Sequence, residues 1–151
     1  MAGLKSSSQA PVVAFDSDIR LTLPARPENV AVVRHVLGAL SDALELPVAL
    51  TEDIRLAVSE ACTNVVRHAY ADGEGTIDVL VHSGGSALEI TVADAGRGLG
   101  PSPDTAGPGL GLPLIAALAD SLQVERSESA GSRLTMSFRR TRATPALGLV
   151  A

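Results

Sequence analysis

The sequence predicts an α/β (α+β) two-layer sandwich, in which a mixed, mostly antiparallel sheet is covered on one face by helices. Three observations point there. Several short stretches alternate apolar and polar residues, the period of a half-buried strand. Longer stretches space their apolar residues by three and four, the period of an amphipathic helix. And 151 residues, 46% of them hydrophobic, suffice for one domain with a real core.

In chain order, "DIRLTLPA" turns Ile19, Leu21 and Leu23 inward, and Pro24 and Pro27 close this strand. In "ENVAVVRHVLGALSDALEL", Val30, Val33, Leu37, Leu40 and Leu44 form one apolar stripe, so a helix is expected that Pro47 ends. Thr51 is the expected N-cap of a second helix, with Glu52 and Asp53 in its first turn, where the helix dipole favours acids. That helix is expected over 52–70 and buries Ile54, Ala57, Val58, Ala61 and Val65. After the turn "ADGEG", the segments "TIDVLVH" and "ALEITVAD" read as paired strands across "SGGS". "LPLIAALADSL" is expected to be a short helix, and "LQVERS" with "SRLTMSF" a last hairpin, in which Leu134, Met136 and Phe138 alternate with Arg133, Thr135 and Ser137. Residues 1–16 are expected to be a flexible arm, 17–140 the domain, and 141–151 a disordered tail.

Composition excludes several functions. A net charge of −5 leaves no basic surplus to displace counterions from nucleic acid, and 2% aromatic residues provide no stacking platform for single strands. No apolar run reaches the length of a membrane span, and the opening "MAGLKSSSQAPVVAF" lacks the apolar stretch of a secretory signal. The single cysteine, Cys62, cannot form an internal disulfide, which fits a reducing, cytoplasmic setting.

Two features could carry chemistry. On the second helix, at about 100° per residue, Asp53, Glu60, Asn64 and Arg67 share one side with His68 at its edge. Glu60 and Asn64 stand one turn apart, where a carboxylate and an amide oxygen can serve one hard cation, or a base can sit beside a metal ligand. An ordinary solvated polar pair has the same spacing. The other feature is the glycine-rich region from "VADAGRGLG" to "GPGLGLPLI". Asp94 closes a strand and could accept hydrogen bonds from a ligand amine, while Gly96 and Gly98 allow close backbone approach. Asp and Gly also suit a plain turn. Gly109 and Gly111 open a helix, whose free N–H groups suit phosphate. The P-loop pattern is absent, since the chain's one lysine is Lys5.

The order of these pieces resembles the GHKL ATPase superfamily, and "SEACTNVVRHAY", "DAGRGL", "GLGLPLI" and "GSRLTMSF" resemble most the bacterial anti-sigma-factor serine/threonine kinases. The likeness runs over about 21–138. It implies the ATP-binding fold of that superfamily, with ATP and magnesium as ligands. By position it implies Asn64 as the magnesium ligand and Glu60 as catalytic base, while Asp94 takes the adenine amino group. Gly96, Arg97 and Gly98 belong to the same motif, with Gly98 beneath the ring and Thr135 assisting from the last strand. Gly109, Leu110 and Gly111 would bind phosphate at the end of a lid, "LGPSPDTAGP", that departs from the pattern in having no lysine. The partners implied are an anti-anti-sigma protein, phosphorylated on serine or threonine, and a sigma factor, with the kinase as a homodimer. The alternative is a nucleotide-gated binding module without phosphoryl transfer. A detached histidine-kinase domain would need an acidic residue and then a proline after His35, and "VVRHVLGAL" has neither.

Overall fold

The computed structural model describes residues 19–71, 74–96, 111–127 and 131–141. The expected arm lies outside them, as does the tail beyond Thr141. The described elements run β1 (Ile19–Pro24), α1 (Pro27–Ala43), α2 (Val48–Asn64), β2 (Thr76–His82), β3 (Ala87–Asp94), α3 (Gly111–Leu118), β4 (Ser121–Ser127) and β5 (Gly131–Arg139), and a π-helical segment, Val65–Ala69, continues α2.

The strands form one sheet in the order β1-β2-β3-β5-β4, with every neighbouring pair antiparallel. The expected mixed sheet is therefore antiparallel throughout its described strands. The reason is where β5 goes. Helix α3 carries the chain from β3 to β4, and these two strands run in the same direction. Strand β5 then inserts between them, converting one possible parallel contact into two antiparallel ladders.

Alternation decides what faces the helices. Ile77, Val79 and Val81 of β2, Leu88, Ile90 and Val92 of β3, and Leu134, Met136 and Phe138 of β5 are all buried. They meet Val33 and Leu37 of α1, Leu50, Ile54, Ala57, Val58 and Ala61 of α2, and Ile115 of α3 in one core. Each of these Val, Leu, Ile, Met and Phe side chains contributes roughly 1.5–3 kcal/mol on leaving water. Helix α2 lies over the centre of the sheet, against β3 and β5, with α1 on one flank and α3 on the other.

Helix boundaries moved where local hydrogen bonds outweighed residue preference. Helix α1 starts at Pro27, which occupies the first turn where no N–H is needed. It stops before Pro47: Glu45 takes a left-handed φ of 54°, and Glu45 N–H and Leu46 N–H donate to the Asp42 and Ser41 carbonyls at 3.1 and 2.9 Å. Thr51 is not a cap. Pro47 holds the N-cap position, its carbonyl accepts from Thr51 N–H at 3.0 Å and from Thr51 Oγ1 at 3.2 Å, and Glu52 and Asp53 fall beyond the first turn. Helix α3 is shorter than expected, because Ser121 and Leu122 pair with Ser137 and Met136 in the sheet.

Cys62, on α2, is fully buried, and desolvation pushes its thiol up from 9.0 to about 12. Above the ordinary thiol pKa the unfolded chain loses this proton and the folded chain keeps it. Stability therefore falls as pH rises from 9 toward 12. Unfolding free energies from denaturant titrations between about pH 8 and about pH 10 should decline by up to about 1.4 kcal/mol per pH unit from this group. In Cys62→Ala that contribution should vanish, leaving a pH-independent cavity penalty; an unchanged slope would remove the assignment.

Candidate functional site

Strand β3 ends at Asp94, whose side chain belongs to the buried face and is only 7% exposed. A carboxylate placed there needs donors. Among the described residues it has two: Gly96 N–H donates to Oδ1 at 2.9 Å, and the Ser132 hydroxyl donates to Oδ2 in a short hydrogen bond. The β3–β5 register sets Ser132 directly opposite Asp94, so the second donor follows from strand pairing. Each carboxylate oxygen keeps a further lone pair, so the group can accept from an outside N–H without giving up its protein partners.

Two glycines make room for this arrangement. Gly131 has φ +85°, and a Cβ there would lie 2.0 Å from the Asp94 carbonyl oxygen. At Gly96 a Cβ would lie 2.0 Å from the Ala69 carbonyl oxygen, so the end of the π-helical segment rests against the turn after Asp94. A cavity of about 370 Å³ borders the same strand ends, lined by Asp94, Ala95, Gly131 and Ser132 with Asp78, Glu125, Arg126 and Arg133.

Helix α2 presents Glu60 and Asn64, both half-buried, one turn apart near its end. Asn64 meets the first residue of α3: a Cβ on Gly111 would lie 2.7 Å from Asn64 Nδ2 and 3.1 Å from Oδ1. Glycine at this helix start thus leaves the amide its place, and brings Asn64 beside the N-terminus of α3. Among the described residues no group of three or more His, Cys, Asp or Glu could hold a metal.

Beyond Asn64 the expected helical phase changes. From Val65 to Ala69 the turns widen to π geometry, so the 100° spacing that aligned Arg67 and His68 with Glu60 and Asn64 does not hold there. Thr135 also departs from expectation. It lies on the face of the sheet away from the helices, where its Oγ1 is 3.2 Å from Thr91 Oγ1, and it does not approach Asp94. The strand residue that does is Ser132. The alternation that buries Leu134, Met136 and Phe138 already places Ser132 on their face and Thr135 on the other. Arg97, Gly98, Gly109 and Leu110 lie outside the described residues. The structure thus joins Asp94, Gly96 and Ser132 in one cluster, and Glu60, Asn64 and Gly111 in a second.

Comparison with known proteins gives the same frame. The model of the histidine kinase-like ATPase domain matches residues 23–138. The serine-protein kinase RsbW of Halalkalibacterium halodurans is 38% identical over 133 residues, covering 78% of this chain and 80% of that protein. RsbW of Bacillus licheniformis is 36% identical over 140 residues, covering 82% and 88%. A crystal structure of the RsbU and RsbW domains of Rv1364c from Mycobacterium tuberculosis superposes with a TM-score of 0.68 at 23% identity, over 84% of this chain and 33% of that one. This chain spans about a third of that larger protein, and the likeness supports the fold. The chain belongs to the histidine kinase-like ATPase domain family and, within it, to the group of the serine-protein kinase RsbW.

Proposed function

We propose that this protein is an ATP-dependent serine/threonine kinase of the anti-sigma type, which phosphorylates a hydroxyl on an anti-anti-sigma protein and sequesters a sigma factor. One observation carries the reading: a buried carboxylate, Asp94, is held with acceptor capacity to spare on the sheet face covered by the helix that offers Glu60 and Asn64 beside a glycine-led helix start. An adenine amino group suits Asp94, with Gly96 giving the base access to backbone. Phosphates suit the N-terminus of α3 at Gly111.

The residues present fit magnesium, which Asn64 would hold and which supplies charge neutralisation to the phosphates. Glu60, one turn away, accepts the proton of the partner's serine or threonine hydroxyl. That oxygen forms its bond to the terminal phosphorus as the bond to the nucleoside diphosphate breaks. Little covalent work falls to the protein in such a transfer, so positioning and electrostatics carry most of the rate. The acidic net charge and sparse aromatics fit a protein partner rather than nucleic acid. Among the described residues no helix is long and apolar enough to cross a membrane.

Glu60→Gln keeps size and hydrogen bonding but cannot take a proton. ATP affinity should change little, while single-turnover phosphorylation of the partner should fall by roughly two to four orders of magnitude. An unchanged rate would end the role of base. Absence of transfer from the native protein with every antagonist tried would favour the nucleotide-gated binding module.

Guanine presents a carbonyl where adenine presents its amine, and a carbonyl facing Asp94 leaves two acceptors opposed. Titration calorimetry should find GTP weaker than ATP by roughly tenfold or more, and Asp94→Asn should lose most ATP binding with the fold intact. Equal affinities would refute the adenine assignment.

Gly111→Ala tests Asn64 without touching it. The added Cβ meets the far end of a flexible side chain, which can swing aside, so thermal stability should hardly move. The magnesium-dependent part of ATP affinity should fall by roughly ten- to a hundredfold, the range for disturbing a ligand's support. If chelator and mutation gave independent losses, Asn64 would be acting other than on the metal.

A further inference from the structure

Tyr70 follows directly on the π-helical segment, in extended conformation, and its hydroxyl makes two bonds to different parts of the sheet. It donates to the Thr76 carbonyl, at the start of β2, at 2.7 Å. It accepts from Ala95 N–H, between Asp94 and Gly96, at 3.0 Å. The ring lies over Gly75, where a Cβ would sit 2.1 to 2.4 Å from three ring carbons, so no other residue leaves the ring this seat. Ala69, the preceding residue, presses its carbonyl against Gly96. The three residues of the turn are therefore gripped separately: Asp94 by Ser132, Ala95 by Tyr70 and Gly96 by Ala69. Two of these grips come from the chain that continues α2 past Glu60 and Asn64.

We propose that Tyr70 is a positioning residue that holds the Asp94–Gly96 turn in register with the helix carrying Glu60 and Asn64, and thereby sets how sharply the site selects adenine. The proposal rests on the reading of Asp94 as the acceptor for the adenine amine. Because Ala95 is exposed, water can satisfy its N–H once the phenol oxygen is gone. Loss of the hydroxyl then costs little of the fold and is felt in the position of the turn. A hydroxyl kept only for stability would have the opposite signature.

Tyr70→Phe removes the hydroxyl alone. At a temperature where the variant is fully folded, ATP affinity should fall roughly three- to tenfold, and the preference for ATP over GTP should narrow. In the nucleotide-free protein the Ala95 amide should exchange faster with solvent, which needs no catalysis to be seen. Gly75→Ala, which keeps the hydroxyl but displaces the ring, should reproduce both effects. The double variant should lose little more than either single one, since both act through one contact. Native ATP affinity and selectivity in folded Tyr70→Phe would overturn the proposal, as would additive losses in the pair. A native protein that does not discriminate ATP from GTP would instead overturn the reading of Asp94, and this inference with it.

Discussion

A carboxylate kept out of water at the end of a strand is the constraint around which the site is arranged. Asp94 could not remain there without donors, and the two among the described residues come from different parts of the chain: Gly96, two residues on, and Ser132, on the neighbouring strand. The first bond bends the chain sharply after β3. The second requires β5, rather than β4, to lie beside β3. The sheet order is thus tied to the site, because inserting β5 between β3 and β4 sets Ser132 opposite Asp94.

The glycines express the same constraint in steric form. Gly131 and Gly96 stand where backbone from another segment comes within the space a Cβ would need, and Gly111 stands where Asn64 does. In each case a close approach joins a piece of the helical layer or a neighbouring strand to the residue that would touch the nucleotide. The π-helical segment belongs to this set. Its wider turns end the regular phase of α2 just after Asn64, and they bring Ala69 and Tyr70 onto the turn that follows Asp94. The helix proposed to hold metal and base is in this way braced against the strand end proposed to choose the purine.

Much of this was legible in the residues. The alternations at 77–81, 88–92 and 134–138 mark buried strand faces, and the stripe from Val30 to Leu44 marks a helix, because burial has a period the chain cannot hide. The likeness to the anti-sigma-factor kinases rests on motif order; the ATPase-domain match over 23–138 and the serine-protein kinase RsbW relatives bear it out. Local signals were weaker where two choices were close in energy. Thr51 has the chemistry of a cap, yet the helix began a turn earlier, and Leu122 fits a helix period as well as the strand it joined.

Sequence by itself determined the layers, the core and the residue types at the site, since hydrophobic period and glycine placement are written locally. Alternation along β5 separates the face of Ser132 from that of Thr135, but the tertiary structure decided that Ser132 stands opposite Asp94. Thr135 matched the motif, but adjacent strand residues point to opposite faces, and the register with β3 gave the place to Ser132. It also decided that Tyr70, distant in the chain from Asp94, would hold the amide next to it. That bond depends on where a widened helix turn meets a strand end, a distance set by packing between layers and by no period in the chain.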